Sequence, residues 1–247
     1  MEKAIIHNFE ELDYPGTEAM NTICSNLSFA GRKLKKIVLT SCTANNGKSF
    51  TSMYIMRNLA KRGRKVLLID ADLRKSYLIK KYQIEIKGEV KGLAHYLTGH
   101  CDIQDIIYET NIDGAYIIPI GRDAANPIPL IDSPYFSELL DKMSEQFDTI
   151  LIDAPPVGLV VDAAEIAKNC DGVVFVVEYN KTRRRELADA KRQIEQTGCP
   201  ILGCVVNMVT FNTLSAKKYY NKSYYTHYNS GYYRKSDNTD EKTDNAK

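Results

Sequence analysis

A glycine, a lysine and a serine stand together at positions 47–49, at the end of the segment Ser41-Cys-Thr-Ala-Asn-Asn-Gly-Lys-Ser49. Gly-Lys-Ser ends a Walker A loop, whose backbone N–H groups surround phosphate oxygens while the lysine reaches the β- and γ-phosphates and the hydroxyl binds Mg²⁺. A helix that starts here adds about half a positive charge at its first turn. We therefore predict a site for ATP and Mg²⁺, with contacts at Thr43, Ala44, Asn45, Asn46, Gly47, Lys48, Ser49 and Phe50.

Cys42 departs from the Walker A pattern, because it stands where that pattern has its first glycine. The alternative interpretation is an ordinary strand-to-helix turn that happens to contain Gly-Lys-Ser. Two acidic segments further along the chain favour the nucleotide site, since they supply the carboxylates that a metal–nucleotide complex needs.

Three aspartates close two apolar runs of the sequence. Val66–Ile69 leads into Asp70-Ala71-Asp72, and Ile150–Ile152 leads into Asp153. A carboxylate that closes a buried strand is typical of a Walker B motif, and residues two apart in an extended strand point the same way. We predict that Lys48, Asp70 and Asp72 are catalytic and that Ser49, Asp72 and Asp153 hold the metal. The alternative is that Asp70 or Asp72 only caps the following turn.

A sheet must position these residues, and the sequence has the pattern for one. Short apolar runs alternate with stretches of helical periodicity, which is typical of a parallel sheet covered on both faces. We predict an α/β fold with a doubly wound, mostly parallel sheet, which binds ligands beyond the carboxyl ends of its strands. The predicted strands are 36–41, 66–69, 115–120, 150–152, 173–177 and 201–206, and the predicted helices are 50–61, 133–146, 162–169 and 182–197.

Composition limits the class of protein. The 247 residues are 44% hydrophobic and 26% charged, which suits one globular domain, here predicted as 1–210. Lys and Arg total 33 against 31 for Asp and Glu, so nothing suggests a nucleic-acid partner. No apolar run reaches the roughly 18 residues that span a bilayer, and none of the six cysteines forms a Cys-x-x-Cys pair. We expect a cytoplasmic protein with reduced cysteines.

The end of the chain has a different composition. From Phe211 the apolar periodicity stops, and residues 211–247 are predicted to form a flexible tail. The tail is rich in tyrosine, which suggests either a modified segment or a partner-binding peptide. Of the 16 tyrosines in the chain, those in the tail are Tyr219, Tyr220, Tyr224, Tyr225, Tyr228, Tyr232 and Tyr233.

With these motifs in place, residues 14–233 resemble the bacterial tyrosine kinases of capsule and exopolysaccharide assembly, relatives of the MinD and ParA type ATPases. The resemblance rests on the Walker A segment, Val66–Arg74 (VLLIDADLR), Ile150–Gly158 (ILIDAPPVG), Leu159–Ala164 (LVVDAA) and Ile201–Asn207 (ILGCVVN). It implies that Asn207 contacts adenine. MinD and ParA type ATPases carry a signature lysine where this sequence has Thr43, which favours the kinase branch.

The resemblance implies an ATP-dependent tyrosine kinase that phosphorylates its own tail and regulates capsular or exopolysaccharide synthesis and export. Asp70 would accept the tyrosine proton. The expected partners are a membrane adaptor of the polysaccharide co-polymerase type, which recruits the chain to the inner face of the plasma membrane, and a cognate tyrosine phosphatase. Two alternatives use the same site: a nucleotide-dependent switch ATPase, and a non-catalytic nucleotide-binding regulatory subunit.

The family's N-terminal helix carries a Glu-x-x-Arg-x-x-Arg pattern that helps subunits associate in a ring, with one subunit's tail entering the next subunit's site. Here Glu18 is present, but Asn21 and Cys24 occupy the positions of the two arginines. Two guanidinium groups would each contribute about 1.5–3 kcal/mol when desolvated. The resemblance implies self-association through the tail and this helix, whereas the two substitutions argue against a closed ring and leave the oligomer number open.

Overall fold

The computed structural model describes residues 2–31 and 34–209, of which those up to Asn207 belong to one compact unit. The predicted tail at 211–247, with its seven tyrosines, lies outside the described residues.

The described part of the chain is built on one nine-stranded sheet with the order β4-β1-β5-β6-β3-β7-β2-β8-β9. The six strands from β6 to β9 in that order are all parallel, and antiparallel pairs occur only between β1 and β4 and between β5 and β6. The strands are β1 Glu2–Ile6, β2 Lys36–Ser41, β3 Val66–Asp70, β4 Ile84–Ile86, β5 Tyr108–Thr110, β6 Ala115–Ile118, β7 Thr149–Asp153, β8 Gly172–Glu178 and β9 Ile201–Asn207.

Helices cover both faces of this sheet, because alternate residues of its central strands are apolar on both sides. In β3, Leu67 and Ile69 belong to one core cluster, whereas Val66 and Leu68 belong to the other. The second cluster takes its helical residues from α1 Tyr14–Phe29, α2 Lys48–Lys61 and α3 Leu78–Tyr82. The first takes them from α4 Leu93–Leu97, α5 Ile128–Ile131, α6 Pro134–Gln146, α7 Asp162–Ala167 and α8 Arg184–Glu195.

The predicted fold class is therefore confirmed. All six predicted strands and all four predicted helices are present, with ends that differ by one or two residues. The strands β1, β4 and β5 and the helices α3, α4 and α5 were not predicted, and all six are five residues or shorter. All six cysteines are free thiols. Among the helices of residues 2–31 and 34–209, none is long and apolar enough to cross a lipid bilayer.

The two positions where the family pattern has arginines lie on α1, against α2. Cys24 is fully buried, and its thiol faces the backbone oxygen of Ile55. The Asn21 side-chain oxygen accepts a hydrogen bond from Asn58 Nδ2 at 3.1 Å, and the backbone oxygen of Asn21 accepts one from Arg62 at 3.0 Å. These side chains hold two helices of the same chain together, and Cys24 presents nothing to another subunit.

An arginine at position 24 should therefore unfold the chain more readily. We expect Cys24→Arg to lower the free energy of unfolding by about 3 kcal/mol or more, because it places an unpaired charge in the core. Urea unfolding followed by circular dichroism measures the change. The control is Asn26→Arg, an exposed position on the same helix, which should change stability by less than about 0.5 kcal/mol. Equal stability of the two variants would contradict the burial of Cys24.

Candidate nucleotide and metal site

The phosphate loop and the acidic residues meet at the carboxyl edge of the central strands. The loop joins the end of β2 at Ser41 to the start of α2 at Lys48. Asp70 and Asp153 are the last residues of β3 and β7, and they are direct neighbours in the parallel ladder. Adjacent strands are about 4.8 Å apart, so the two carboxylates lie side by side at the edge where ligands bind in such sheets.

The loop has a fixed conformation before any ligand is considered. Gly47 has a φ of 86° and Asn45 a φ of 64°, both in the left-handed region that glycine and asparagine tolerate best. The buried Asn46 accepts hydrogen bonds through its side-chain oxygen from Thr43 N at 3.2 Å and Thr43 Oγ1 at 3.0 Å. Asn207 Nδ2 donates to the Asn46 backbone oxygen at 3.0 Å. Asn207 therefore braces the loop, a contact that the sequence did not predict.

The missing glycine at position 42 has a simple structural reason. Cys42 does not have a positive φ, and its side chain is buried in the core cluster that contains α6, α7 and α8. Its backbone oxygen instead lies against Gly158, where an added Cβ would come within 2.2 Å of that oxygen. The two backbones can approach closely here because Gly158 has no side chain. Position 42 itself therefore needs no glycine, and Cys42 is compatible with the loop.

Lys48 and Ser49 lie beside the carboxylates. Lys48 is only 8% exposed, and its charge acts on both Asp72 and Asp153. Ser49 is close enough to Asp153 to lower the pKa of that carboxyl, against the larger effect of desolvation. Ser52, one helical turn further on, donates to Asp153 Oδ1 at 3.4 Å and was missed by the sequence analysis. The ring of Phe50 packs against Tyr54, with ring centroids 4.3 Å apart.

Burial raises the pKa of all three aspartates. The pKa of Asp153 is raised to about 6 by desolvation, against the opposing effect of Lys48. The pKa of Asp70 is raised well above its usual range by desolvation and then by the charge of Asp153. Asp70 also accepts a hydrogen bond from the Ser76 hydroxyl, another contact that sequence reasoning missed. Desolvation raises the pKa of Asp72 as well, although Lys48 opposes it. Clustered carboxylates with raised pKa values are typical of functional sites.

The carboxylate and hydroxyl oxygens of this site suit a cation whose other ligands are water and substrate phosphates. Within the described ranges, no group of three His, Cys, Asp or Glu side chains forms a ready-made metal cage. Mg²⁺ is usually held by one or two carboxylates, with water and substrate phosphates completing its octahedron. Asp153, Ser49 and Asp72 fit that arrangement better than a protein-only cage.

An ion pair that was not predicted fixes the loop between β3 and α3. Arg74 Nε donates to Asp162 Oδ2 at 2.7 Å, and Arg74 Nη2 donates to Asp162 Oδ1 at 2.9 Å. Asp162 is 1% exposed and starts α7, so this two-point contact ties the loop that carries Asp72 to the segment after Asp153. Sequence reasoning included both residues in family motifs but gave no sign that they touch.

Comparisons with known proteins agree with this geometry. The model of the AAA domain family matches residues 34–196. The chain is 41% identical to the tyrosine-protein kinase CpsD of Streptococcus agalactiae, over 78% of this chain and 83% of that one. It is 35% identical to CpsD of Streptococcus pneumoniae serotype 4, over 82% and 87% of the two chains. The solved kinase domain of the Escherichia coli tyrosine kinase ETK is 26% identical, with a TM-score of 0.73 over 83% of this chain and 84% of that one.

The sheet order, the phosphate loop and the paired aspartates define an ATP-binding P-loop protein. Within that class, the chain belongs to the bacterial tyrosine-kinase family.

The raised pKa of Asp153 gives a testable stability change. Since the folded pKa of about 6 lies above the unfolded value of about 3.9, the ionised carboxylate disfavours folding above pH 6, and this penalty disappears below pH 4. We expect Asp153→Asn to raise the free energy of unfolding by about 2–3 kcal/mol at pH 8 in EDTA, and hardly at all at pH 4. Denaturant unfolding at both pH values measures this.

Asp113→Asn is the matched control, because Asp113 is exposed in the turn before β6 and, within residues 2–31 and 34–209, is in no ion pair. It should change the free energy of unfolding by less than about 0.5 kcal/mol at either pH. An Asp153→Asn protein that is less stable than the wild type at pH 8, or equally affected at both pH values, would contradict the view that ionisation of Asp153 destabilises the folded chain.

Proposed function

We propose that this chain is an ATP-dependent protein-tyrosine kinase that phosphorylates the tyrosine cluster at its own C-terminus and so regulates capsular or exopolysaccharide synthesis and export. The observation that carries the proposal is the pair of buried carboxylates, Asp70 and Asp153, held on neighbouring strands beside Lys48. Because the chain belongs to the tyrosine-kinase family, we assign to these residues the transfer of a phosphoryl group from ATP to tyrosine. The proposed acceptors are Tyr219, Tyr220, Tyr224, Tyr225, Tyr228, Tyr232 and Tyr233.

The loop residues from Thr43 to Phe50 hold the phosphates of ATP in this proposal, with Lys48 on the β- and γ-phosphates. Asn207, which already braces the loop, also contacts adenine. Ser49, Asp72 and Asp153 hold Mg²⁺, which would neutralise charge on the transferring phosphoryl group. Since little covalent chemistry is left to the protein, positioning and electrostatic stabilisation supply most of the rate enhancement.

Asp70 is the proposed proton acceptor. A tyrosine hydroxyl has a pKa of about 10, so its attack on phosphorus is helped by a base in contact with it. Burial and Asp153 raise the pKa of Asp70 and make it a stronger base than an exposed carboxylate. The Ser76 hydroxyl and the backbone N–H of Asp72 both donate to Asp70, which fixes the orientation of the carboxylate.

Phosphorylation would change how copies of the chain associate. Each phosphotyrosine adds about 1.5–2 negative charges, which repel one another and the acidic site. We therefore propose a cycle in which an unmodified tail enters a neighbouring copy and a modified tail leaves it. A membrane adaptor of the polysaccharide co-polymerase type would recruit and activate the kinase at the inner face of the membrane, and a cognate tyrosine phosphatase would reset it.

Phosphopeptide mapping tests the reaction itself. The full chain is incubated with Mg²⁺ and ATP, with and without a membrane fraction that carries its adaptor, and is analysed by mass spectrometry beside a free-phosphate assay. We expect phosphate on the tail tyrosines, and a loss of at least 100-fold in Lys48→Met, because the phosphates lose their main positive partner. Lys61→Met, an exposed lysine at the end of α2, should keep wild-type activity. Free phosphate without modified tyrosine would support a switch ATPase, and neither product a non-catalytic subunit.

A second experiment tests the base. We expect Asp70→Asn to lower the rate of autophosphorylation by about 100-fold or more while the affinity for MgATP changes less than about threefold, since general base catalysis contributes 10²–10⁴-fold. Stopped-time phosphotyrosine assays and nucleotide titration give the two quantities. The control is Asp113→Asn, an exposed residue in the turn before β6, at the opposite edge of the sheet. Full activity of Asp70→Asn would rule out Asp70 as the base.

A further inference from the structure

A groove of about 1100 Å³ lies between α6 and the segment from Tyr96 to Ile107, away from the nucleotide site. One wall is a single stripe of α6, formed by Tyr135, Glu138, Lys142 and Glu145, which are spaced three or four residues apart. The opposite face of α6 packs into the core. The stripe is about 15 Å long, the span of four or five residues of an extended chain.

The groove is acidic and carries aromatic surface. Four carboxylates line it, from Asp102, Asp105, Glu138 and Glu145, against the single ammonium group of Lys142. Asp105 has an ion-pair partner, Lys91, at 3.6 Å. Within residues 2–31 and 34–209, the other three carboxylates are in no ion pair. Tyr135 on the rim is 56% exposed, so its ring is available to a partner bound in the groove.

The sequence contains a segment with the complementary chemistry. Residues 208–236 include no Asp or Glu, but they contain Lys217, Lys218, Lys222, Arg234 and Lys235 together with all seven tail tyrosines. Basic side chains suit the unpaired carboxylates, and tyrosines suit a groove lined by both apolar and polar side chains. The eleven residues that follow contain Asp237, Asp240, Glu241 and Asp244, so the basic character is confined to the tyrosine-bearing part.

We propose that this groove is a docking site for a stretch of four or five residues within the unphosphorylated tyrosine segment, residues 217–235, of a second copy of the chain. The release step of this proposal rests on the proposed function, because it requires phosphorylation of the tail tyrosines. Before phosphorylation the segment carries five positive charges and no negative ones. Phosphates on its tyrosines, at about 1.5–2 negative charges each, reverse that sign and expel the segment from the acidic groove. The groove therefore holds substrate tails near a kinase and releases product tails.

A binding experiment with the full chain tests this docking. A fluorescent peptide of residues 217–235 is titrated by anisotropy without ATP, so that no phosphoryl transfer occurs. Its affinity is measured for the wild type, for Glu138→Lys and for Glu145→Lys. Asp141→Lys is the matched control, because it makes the same charge change on α6 outside the groove. We expect each groove variant to weaken binding at least fivefold and the control less than twofold. A peptide with phosphotyrosine at all seven positions should bind at least tenfold more weakly than the unmodified one.

Several outcomes would overturn the proposal. Equal weakening by Asp141→Lys and Glu138→Lys would mean non-specific charge attraction, and no change in the groove variants would place the peptide elsewhere. Equal binding of a peptide with serine at every tyrosine would mean that the groove accepts any basic partner. Because no ATP is present, these results do not depend on kinase activity: a chain without activity that binds the peptide as expected supports the docking, while an active kinase with unaffected groove variants contradicts the docking alone.

Discussion

Two negative side chains lie next to each other on neighbouring strands of the sheet, and both are buried. Asp70 and Asp153 are paired in the ladder between β3 and β7, and each is at most 2% exposed. Desolvation raises the pKa of both carboxyls, and the charge of Asp153 raises the pKa of Asp70 further, so ionisation of this pair disfavours the folded state. The fold keeps them together because the strands that carry them are apolar on both faces and are covered by helices on both sides. Stability in the rest of the sheet offsets the cost of the site.

The groups around this pair reduce its charge without filling the space before it. Lys48 supplies a nearby positive charge, and the hydroxyls of Ser52 and Ser76 donate to Asp153 and Asp70. The Arg74–Asp162 ion pair holds the next loop in place from outside. Part of the negative charge of the two carboxylates is thus left uncompensated, and a bound metal–nucleotide complex would compensate it. Such a site is organised before the substrate arrives, which is what electrostatic catalysis requires.

Most of the fold was predictable because its central strands are continuous apolar runs, two of which end in an aspartate. Val66–Asp70 and Thr149–Asp153 are of this kind, and a parallel sheet brings their carboxyl ends together. The strands β1, β4 and β5, which lie together at one end of the sheet, were missed because each contains a charged residue and none is a continuous apolar run. Contacts such as Arg74 with Asp162 were also missed, because they join residues 88 apart that only the folded chain brings together.

The departures from the family pattern have different physical meanings. Cys42 replaces a glycine, but its backbone needs no left-handed conformation, and Gly158 provides the close approach instead, so the phosphate loop keeps its shape. Cys24 stands where the family pattern has an arginine and turns inward against α2, so this position offers no guanidinium group to another copy of the chain. The first substitution is thus accommodated by a close backbone contact at Gly158. The second is accommodated by packing between two helices of the same chain.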